Sequence, residues 1–268
     1  MKNLLFIIVA MLLIVSFSFG QDAVRSNTHL IQPMNYDMNF GVSRDAVIST
    51  MPYVQPIFVF NSYDALNTIK FGAVGGYQFL PNLEVSAGWA FQSLSPDVGD
   101  GESGITDINL SGRYLFEQIS SEQTKIAAGA YLTLPIGKKE LGFQNKFNFG
   151  FYGAVRHALD KIILTGSLGF DFFEQTTYEW DQAALKLVEK TSYETSVFLS
   201  GGAIFVIDQQ LGVVAEFQYM SESEYFMLSG GVDYKLGMGR LRGGLGLGLD
   251  TDGTPKFSLM AGYNIFLN

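Results

Sequence analysis

Residues 105–117 read Ile-Thr-Asp-Ile-Asn-Leu-Ser-Gly-Arg-Tyr-Leu-Phe-Glu. Thr106, Ile108, Leu110, Gly112, Tyr114 and Phe116 share one parity; Asp107, Asn109, Ser111, Arg113 and Glu117 share the other, with Leu115 out of pattern. Successive side chains of a strand point to opposite faces, so this stretch presents one apolar and one polar surface. Strands of soluble sandwiches also alternate, but they average about five or six residues. A run of ten or so is what a tilted strand needs to cross a bilayer.

The same contrast recurs along the chain. Phe257, Leu259, Ala261, Tyr263, Ile265 and Leu267 oppose Lys256, Ser258, Met260, Gly262 and Asn264, and Leu241, Leu245, Leu247 and Leu249 oppose Arg240, Arg242 and glycines. Period two predicts strands over 34–43, 69–79, 82–92, 104–117, 124–135, 144–158, 161–173, 191–207, 210–220, 224–236, 240–249 and 256–267. The expected fold is all-β, a transmembrane antiparallel up-and-down β-barrel of about 12 strands, with 14 as the alternative. Residues 52–60 are assigned to the first outer loop, because counting them alone would make the strand number odd. An even number places both termini in the periplasm. The predicted periplasmic turns (80–81, 118–123, 159–160, 208–209, 237–239) are then mostly shorter than the predicted outer loops (44–68, 93–103, 136–143, 174–190, 221–223, 250–255). Aromatic residues cluster toward strand ends: Tyr77, Tyr114, Phe205 and Tyr234 at one end, Trp89, Phe91, Phe170 and Phe217 at the other. Two interfacial girdles are expected from them.

The N-terminus agrees with export. Lys2 precedes an uninterrupted apolar run from Leu4 to Val15, and Ser18 and Gly20 stand at the −3 and −1 positions before Gln21. The run is too short for a spanning helix and has the form of a cleaved signal peptide. The expected organisation is a signal peptide over 1–20 and an outer-membrane β-barrel over 21–268. No cysteine is present, which removes the acceptor of a lipid anchor and any disulfide. The formal charge is −9, a sign that argues against nucleic acid as a partner. Charged residues are 16% and aromatics 14% of the chain. Soluble domains carry about 25% charged residues, so this balance fits a sheet with one face in lipid.

Catalytic and metal motifs are not found. His29 precedes the first expected strand and His157 sits at a turn, neither in a nucleophile arrangement, and no His or Cys pair has ligand spacing. Asp97, Asp100 and Glu102, and likewise Asp250 and Asp252, resemble calcium-binding stretches but complete no loop motif; Asp and Gly are also ordinary turn residues. No enzyme activity and no cofactor are expected.

The polar parity carries the candidate site. With the apolar face in lipid, Glu84, Asp107, Arg113, Glu117, Lys125, Arg156, Asp171, Glu216, Arg240 and Arg242 face the lumen, together with Glu194, Asp233, Lys235 and Lys256. These charges either fill the barrel as a network of opposite signs or line a path for a solute.

The run Gly104-Ile-Thr-Asp107 through Arg113-Tyr114, followed by Leu134-Pro135-Ile-Gly137, resembles the outer-membrane transporter family named for the MetA pathway of phenol degradation. Asp252-Gly-Thr-Pro255 through Ala261-Gly262-Tyr263 is similar to that family's last hairpin. The resemblance covers 69–137 and 240–268, while 44–68 departs from it. It implies a barrel of about 12 strands in the cell outer membrane and a role in moving small, often aromatic or hydrophobic, compounds. A channel is thus the leading expectation. A structural or assembly barrel with a plugged lumen is the alternative, and a membrane-embedded enzyme is a distant third. Expected partners are outer-membrane lipid and lipopolysaccharide, the barrel-assembly machinery and a small-molecule solute.

Overall fold

A backbone that crosses lipid must satisfy its own hydrogen bonds, and a closed ring of strands does so with no open edge. The computed structural model describes residues 45–141, 147–181, 186–221, 224–249 and 255–267. They form thirteen strands: β1 (Tyr53–Ser62), β2 (Leu66–Leu80), β3 (Leu83–Pro96), β4 (Glu102–Ile105), β5 (Ile108–Leu115), β6 (Thr124–Leu134), β7 (Phe149–Leu159), β8 (Ile162–Asp181), β9 (Lys186–Val206), β10 (Leu211–Met220), β11 (Tyr225–Leu236), β12 (Gly239–Gly248) and β13 (Phe257–Phe266). Each pairs antiparallel with its sequence neighbours, except that β4 and β5 share one stave beside β3. β1 pairs with both β2 and β13, so twelve staves close into a barrel. A ring closed at twelve excludes the fourteen-strand alternative.

The first stave is not the expected one. Segment 34–43 lies outside the described residues, and 53–62, assigned from sequence to an outer loop, is β1. Two features disguise it. Inward Ile57 and Val59 are as apolar as outward Phe58 and Phe60, so alternation fails. Pro56 lies mid-strand, where it lacks a ladder donor. The register with β2 runs unbroken from Tyr53↔Gly76 to Ser62↔Asn67, whereas that with β13 skips Gln55 and Pro56. The connection to β2 is therefore only 63–65, and residues 45–49 are mostly buried against inward-facing side chains of the ring.

A second difference concerns 174–190, expected as an outer loop. β8 and β9 continue through most of it, pairing from Phe173↔Glu194 to Asp181↔Lys186. Among the described residues, the strand register of β7 with β8 runs to Phe172 and that of β10 with β9 to Phe198, while β8 and β9 pair on to Asp181 and Lys186. The expected short turns at the terminal end are present, with Gly237 at φ 59 in the turn between β11 and β12.

Burial follows parity. Along β7 the pattern alternates, with Tyr152, Ala154 and Arg156 buried and Phe149 and Phe151 exposed. The outward face carries exposed Phe71, Trp89, Leu110, Leu168, Leu245 and Leu259, the apolar surface that hydrocarbon covers. Besides a register shift at Gln78–Leu80 beside the turn into β3, the parity slips between β4 and β5. Ile105 faces out opposite Phe91, and Asn109 faces in opposite Gly88, so one extra residue lies on the β4–β5 side. This β-bulge turns Thr106 inward, against its expected outward place, and buries it. Thr106 N–H donates to Ala90 O at 2.9 Å and its Oγ1 accepts from Ala90 N–H at 3.0 Å, keeping the ladder satisfied.

Candidate functional site: the inner mouth of the lumen

The terminal end of the barrel, where β1 begins and β13 ends, holds a buried cluster built on four staves and the segment preceding β1. Tyr53 begins β1. A Cβ on Gly76 would sit 2.3 Å from the Tyr53 ring, so only glycine on β2 lets that ring lie across the sheet. The hydroxyl then donates to Glu84 Oε1 on β3 at 3.1 Å. Arg113, which pairs in register with Glu84 from β5, donates Nη2 to the same oxygen at 3.0 Å. Glu84 Oε2 accepts Ser49 N–H at 2.6 Å, and Arg113 Nη1 donates to Asp45 O at 2.9 Å. The Asp45 carboxylate forms an ion pair with Arg156 on β7. Asp45, Ala46, Ile48 and Ser49 are all buried, and Ala46 packs with Ala127, Tyr152, Ala154 and Phe198. Charges this far from water persist only when paired and hydrogen-bonded. Here the pairing fastens segment 45–49 to the barrel wall.

A second cluster lies across the lumen on β11 and β12. Asp233 pairs in register with Arg242. It accepts from Arg242 Nε at 2.9 Å and from Arg242 Nη2 at 2.5 Å, and from Arg240 through its other oxygen. All three side chains are buried. Asp171 on β8 is buried too and accepts the Tyr131 hydroxyl at 2.9 Å. Glu216 is buried on the inward face of β10, and half-buried Lys125 on β6 stands in register with Arg156.

Some candidates stand elsewhere. Glu117 is exposed in a 3-10 turn (Glu117–Ile119) beyond the end of β5. Asp107 lies in the bulge, half-buried, and its Oδ1 accepts Gly137 N–H at 2.7 Å. Lys256 pairs with Asp64 between two connections at the opposite end, and Lys235 is exposed near the terminal end. His157 Nδ1 is 2.8 Å from Thr124 Oγ1. Of the acidic stretches, Glu102 binds Lys138 at 2.5 Å, and 250–252 lies outside the described residues. Asp45 and Tyr53 were missed from sequence, because both belong to a stretch read as loop.

The geometry explains the two halves of the motif. Besides the Asp107–Gly137 bond, Lys138 N–H donates to Ile105 O at 3.0 Å, and a Cβ on Gly104 would come within 2.7 Å of the Lys138 side chain. Gly104 and Asp107 are thus the receiving surface for the Leu134-Pro-Ile-Gly137 turn.

Among solved structures, an outer-membrane channel from Pseudomonas putida F1 is similar to the chain, with a TM-score of 0.63 at 12% identity over 87% of this chain and 100% of that one. A toluene transporter of Ralstonia pickettii is more distant, with a TM-score of 0.48 at 10% identity over 84% and 91%. No curated protein matches the chain in sequence. The family model described as MetA-pathway of phenol degradation matches residues 59–266. That span includes every stave from mid-β1 to β13, and the chain, a twelve-stranded β-barrel of the cell outer membrane, belongs to this family.

Proposed function

We propose that the protein is a channel for small, apolar-bodied solutes, closed at its inner end by residues 45–49. The observation that carries this reading is the form of the closure. The segment is held by ion pairs and hydrogen bonds to Arg113, Arg156 and Glu84, contacts that water or a ligand can replace. Inward Ile57, Val59 and Met260 form one buried apolar cluster, and Ser167 and Ser200 are hydrogen-bonded to each other on staves across the ring. Such a lining suits a solute with an apolar body and a polar group, and the family's name concerns phenol. The terminal end faces the periplasm in this reading, after removal of the signal peptide before Gln21, and lipopolysaccharide surrounds the opposite rim.

The same closure favours a second reading, a permanently plugged barrel. Conductance in planar bilayers and solute uptake by vesicles decide between them. A channel gives discrete openings that become more frequent when Asp45→Asn weakens the closure. A plugged barrel conducts neither as wild type nor as folded Asp45→Asn.

A further inference from the structure

The outward face of the barrel is not evenly filled. One apolar hollow of about 780 Å³ lies across five neighbouring staves, from the start of β1 to β6. Exposed Tyr77, Leu110, Leu132 and Leu267 wall it. Gly75, Ala87, Gly112 and Ala130, of the same outward parity, form its floor. Two register rows cross it, Gly75↔Ala87↔Leu110↔Leu132 and Tyr77↔Val85↔Gly112↔Ala130, so the floor steps from one row to the next between β3 and β5.

The packing of the wall does not require glycine at these places. A Cβ on inward Gly76 would sit 2.3 Å from the Tyr53 ring, but one on Gly75 would come no nearer than 3.7 Å to its surroundings, and one on Gly112 no nearer than 3.9 Å. Neither residue has a left-handed backbone. Strands favour β-branched and aromatic residues, and glycine inside a strand weakens it. What the two glycines provide is room.

The course of the hollow matches one kind of occupant. Four steps of about 4.8 Å between five staves give a length of roughly 19 Å. An acyl chain that spans one leaflet of a bilayer about 30 Å thick covers roughly 15 Å. The hollow begins at the terminal rim beside Pro52 and Leu267 and reaches Ala130–Leu132, well inside a strand that runs from Thr124 to Leu134. It thus passes from headgroup level into the hydrocarbon, as a chain anchored on the terminal side does, and it is continuous with the surface that lipid already covers. Tyr77 stands near the rim, where an amphipathic ring meets headgroups.

We propose that this hollow is a binding site for one acyl chain of a phospholipid in the leaflet at the terminal end, held apart from the exchanging lipid around the barrel. In the orientation proposed above that leaflet is the periplasmic one, and lipopolysaccharide belongs to the other. The assignment is the same whether the lumen conducts or is plugged.

The test extracts the folded protein from outer membranes in mild detergent, exchanges the detergent until bulk lipid is gone, and weighs the complex by native mass spectrometry. One phospholipid should remain per barrel. Gly75→Leu with Gly112→Leu fills the floor and should lower its occupancy about tenfold, the equivalent of keeping about two methylene groups out of an apolar site. Gly153→Leu, on the outward face of β7 where an added Cβ meets nothing within 4 Å, should retain the lipid as wild type does. A wild type that emerges free of lipid, lipopolysaccharide as the retained lipid, a second copy of the chain in its place, a folded double variant with undiminished phospholipid, or an equal loss from Gly153→Leu would each overturn the site. If heat-modifiable gel mobility shows that the double variant misfolds, wild type decides alone. Phosphatidylethanolamine with a photoreactive acyl chain should then label β2 to β6 in preference to β8 to β12, and even labelling around the ring overturns the site.

Discussion

Among the described residues, the lumen contains two buried arginine–aspartate clusters of nearly the same chemistry and opposite construction. Asp233 meets Arg240 and Arg242 within one hairpin, seven and nine residues away along the chain. Asp45 meets Arg156 across 111 residues, from a segment outside the strand ladder. The first cluster is wall bound to wall: the register of β11 and β12 holds its partners together whatever the lumen contains. The second joins the wall to something that is not wall. Equal burial therefore carries different meanings, since one pair braces a hairpin and the other holds segment 45–49 against the wall.

The largest expected effect breaks this comparison on the hairpin side. Asp233→Ala removes the carboxylate that both buried guanidiniums share, and breaking a buried pair costs about 3–5 kcal/mol. Urea titration of the barrel refolded in lipid, read by gel mobility, should show a loss of that size. The corresponding change at the mouth, Asp45→Ala, should cost clearly less, because the freed segment can move into water; equal losses would mean that segment 45–49 is as structural as the hairpin.

Next in size is the contrast between the two faces of β5. Leu110→Arg turns a cation toward lipid, at a cost of roughly 2–4 kcal/mol near mid-bilayer. Arg113→Ala on the inward face should fold nearly as wild type and show its effect in conductance. Normal folding of Leu110→Arg, with failure of Arg113→Ala, would reverse the assignment of faces.

A smaller effect is expected in the bulge. Asp107→Asn keeps an acceptor for Gly137 N–H but loses its charge, and a hydrogen bond to a charged group contributes about 1.5–3 kcal/mol against about 1 for a neutral one. A stability loss near 1 kcal/mol, with unchanged closure of the mouth, would mark this contact as a clamp on the wall alone.

The smallest effect lies in the turn after β9. Backbone N–H groups of Gln210 and Leu211 donate to Asp208 Oδ1 and hold its carboxyl below the usual range. The folded value is depressed, so the stabilisation is present above the ordinary carboxylate pKa and is lost as pH falls through the lowered one. Amide exchange at Gln210 should accelerate in that acid window in wild type, and a pH-independent rate would remove the carboxylate from the turn.

The hairpin cluster was legible in the sequence because parity alone places Arg240 and Arg242 on one face, and a tight turn at 237–238 brings Asp233 opposite. The mouth cluster was half legible. Glu84, Arg113 and Arg156 declare themselves as charges on an otherwise apolar ribbon, but Asp45 precedes any strand and carries no periodic signal. β1 was hidden because its inward residues pack inside the barrel and are as apolar as those in lipid, so the contrast that marks every other stave is missing. The outer parts of β8 and β9 were hidden for the converse reason. Residues 174–190 show no sustained apolar parity in the sequence, so pattern reading stopped at Phe173 and resumed at Thr191.

The proline in β1 has a consequence for how the ring is made. Ser62 and Phe257 are register partners at opposite ends of the chain, so the β1–β13 seam joins the most distant segments and forms only when the last strand is available. Until then both strands are open edges that a neighbouring nascent chain could join. Pro56 lies in the gap of the β13 register, where it removes a donor and blunts that edge. The residue that obscures β1 to a reader of patterns thus leaves the edge that must wait longest for its partner with one backbone donor fewer.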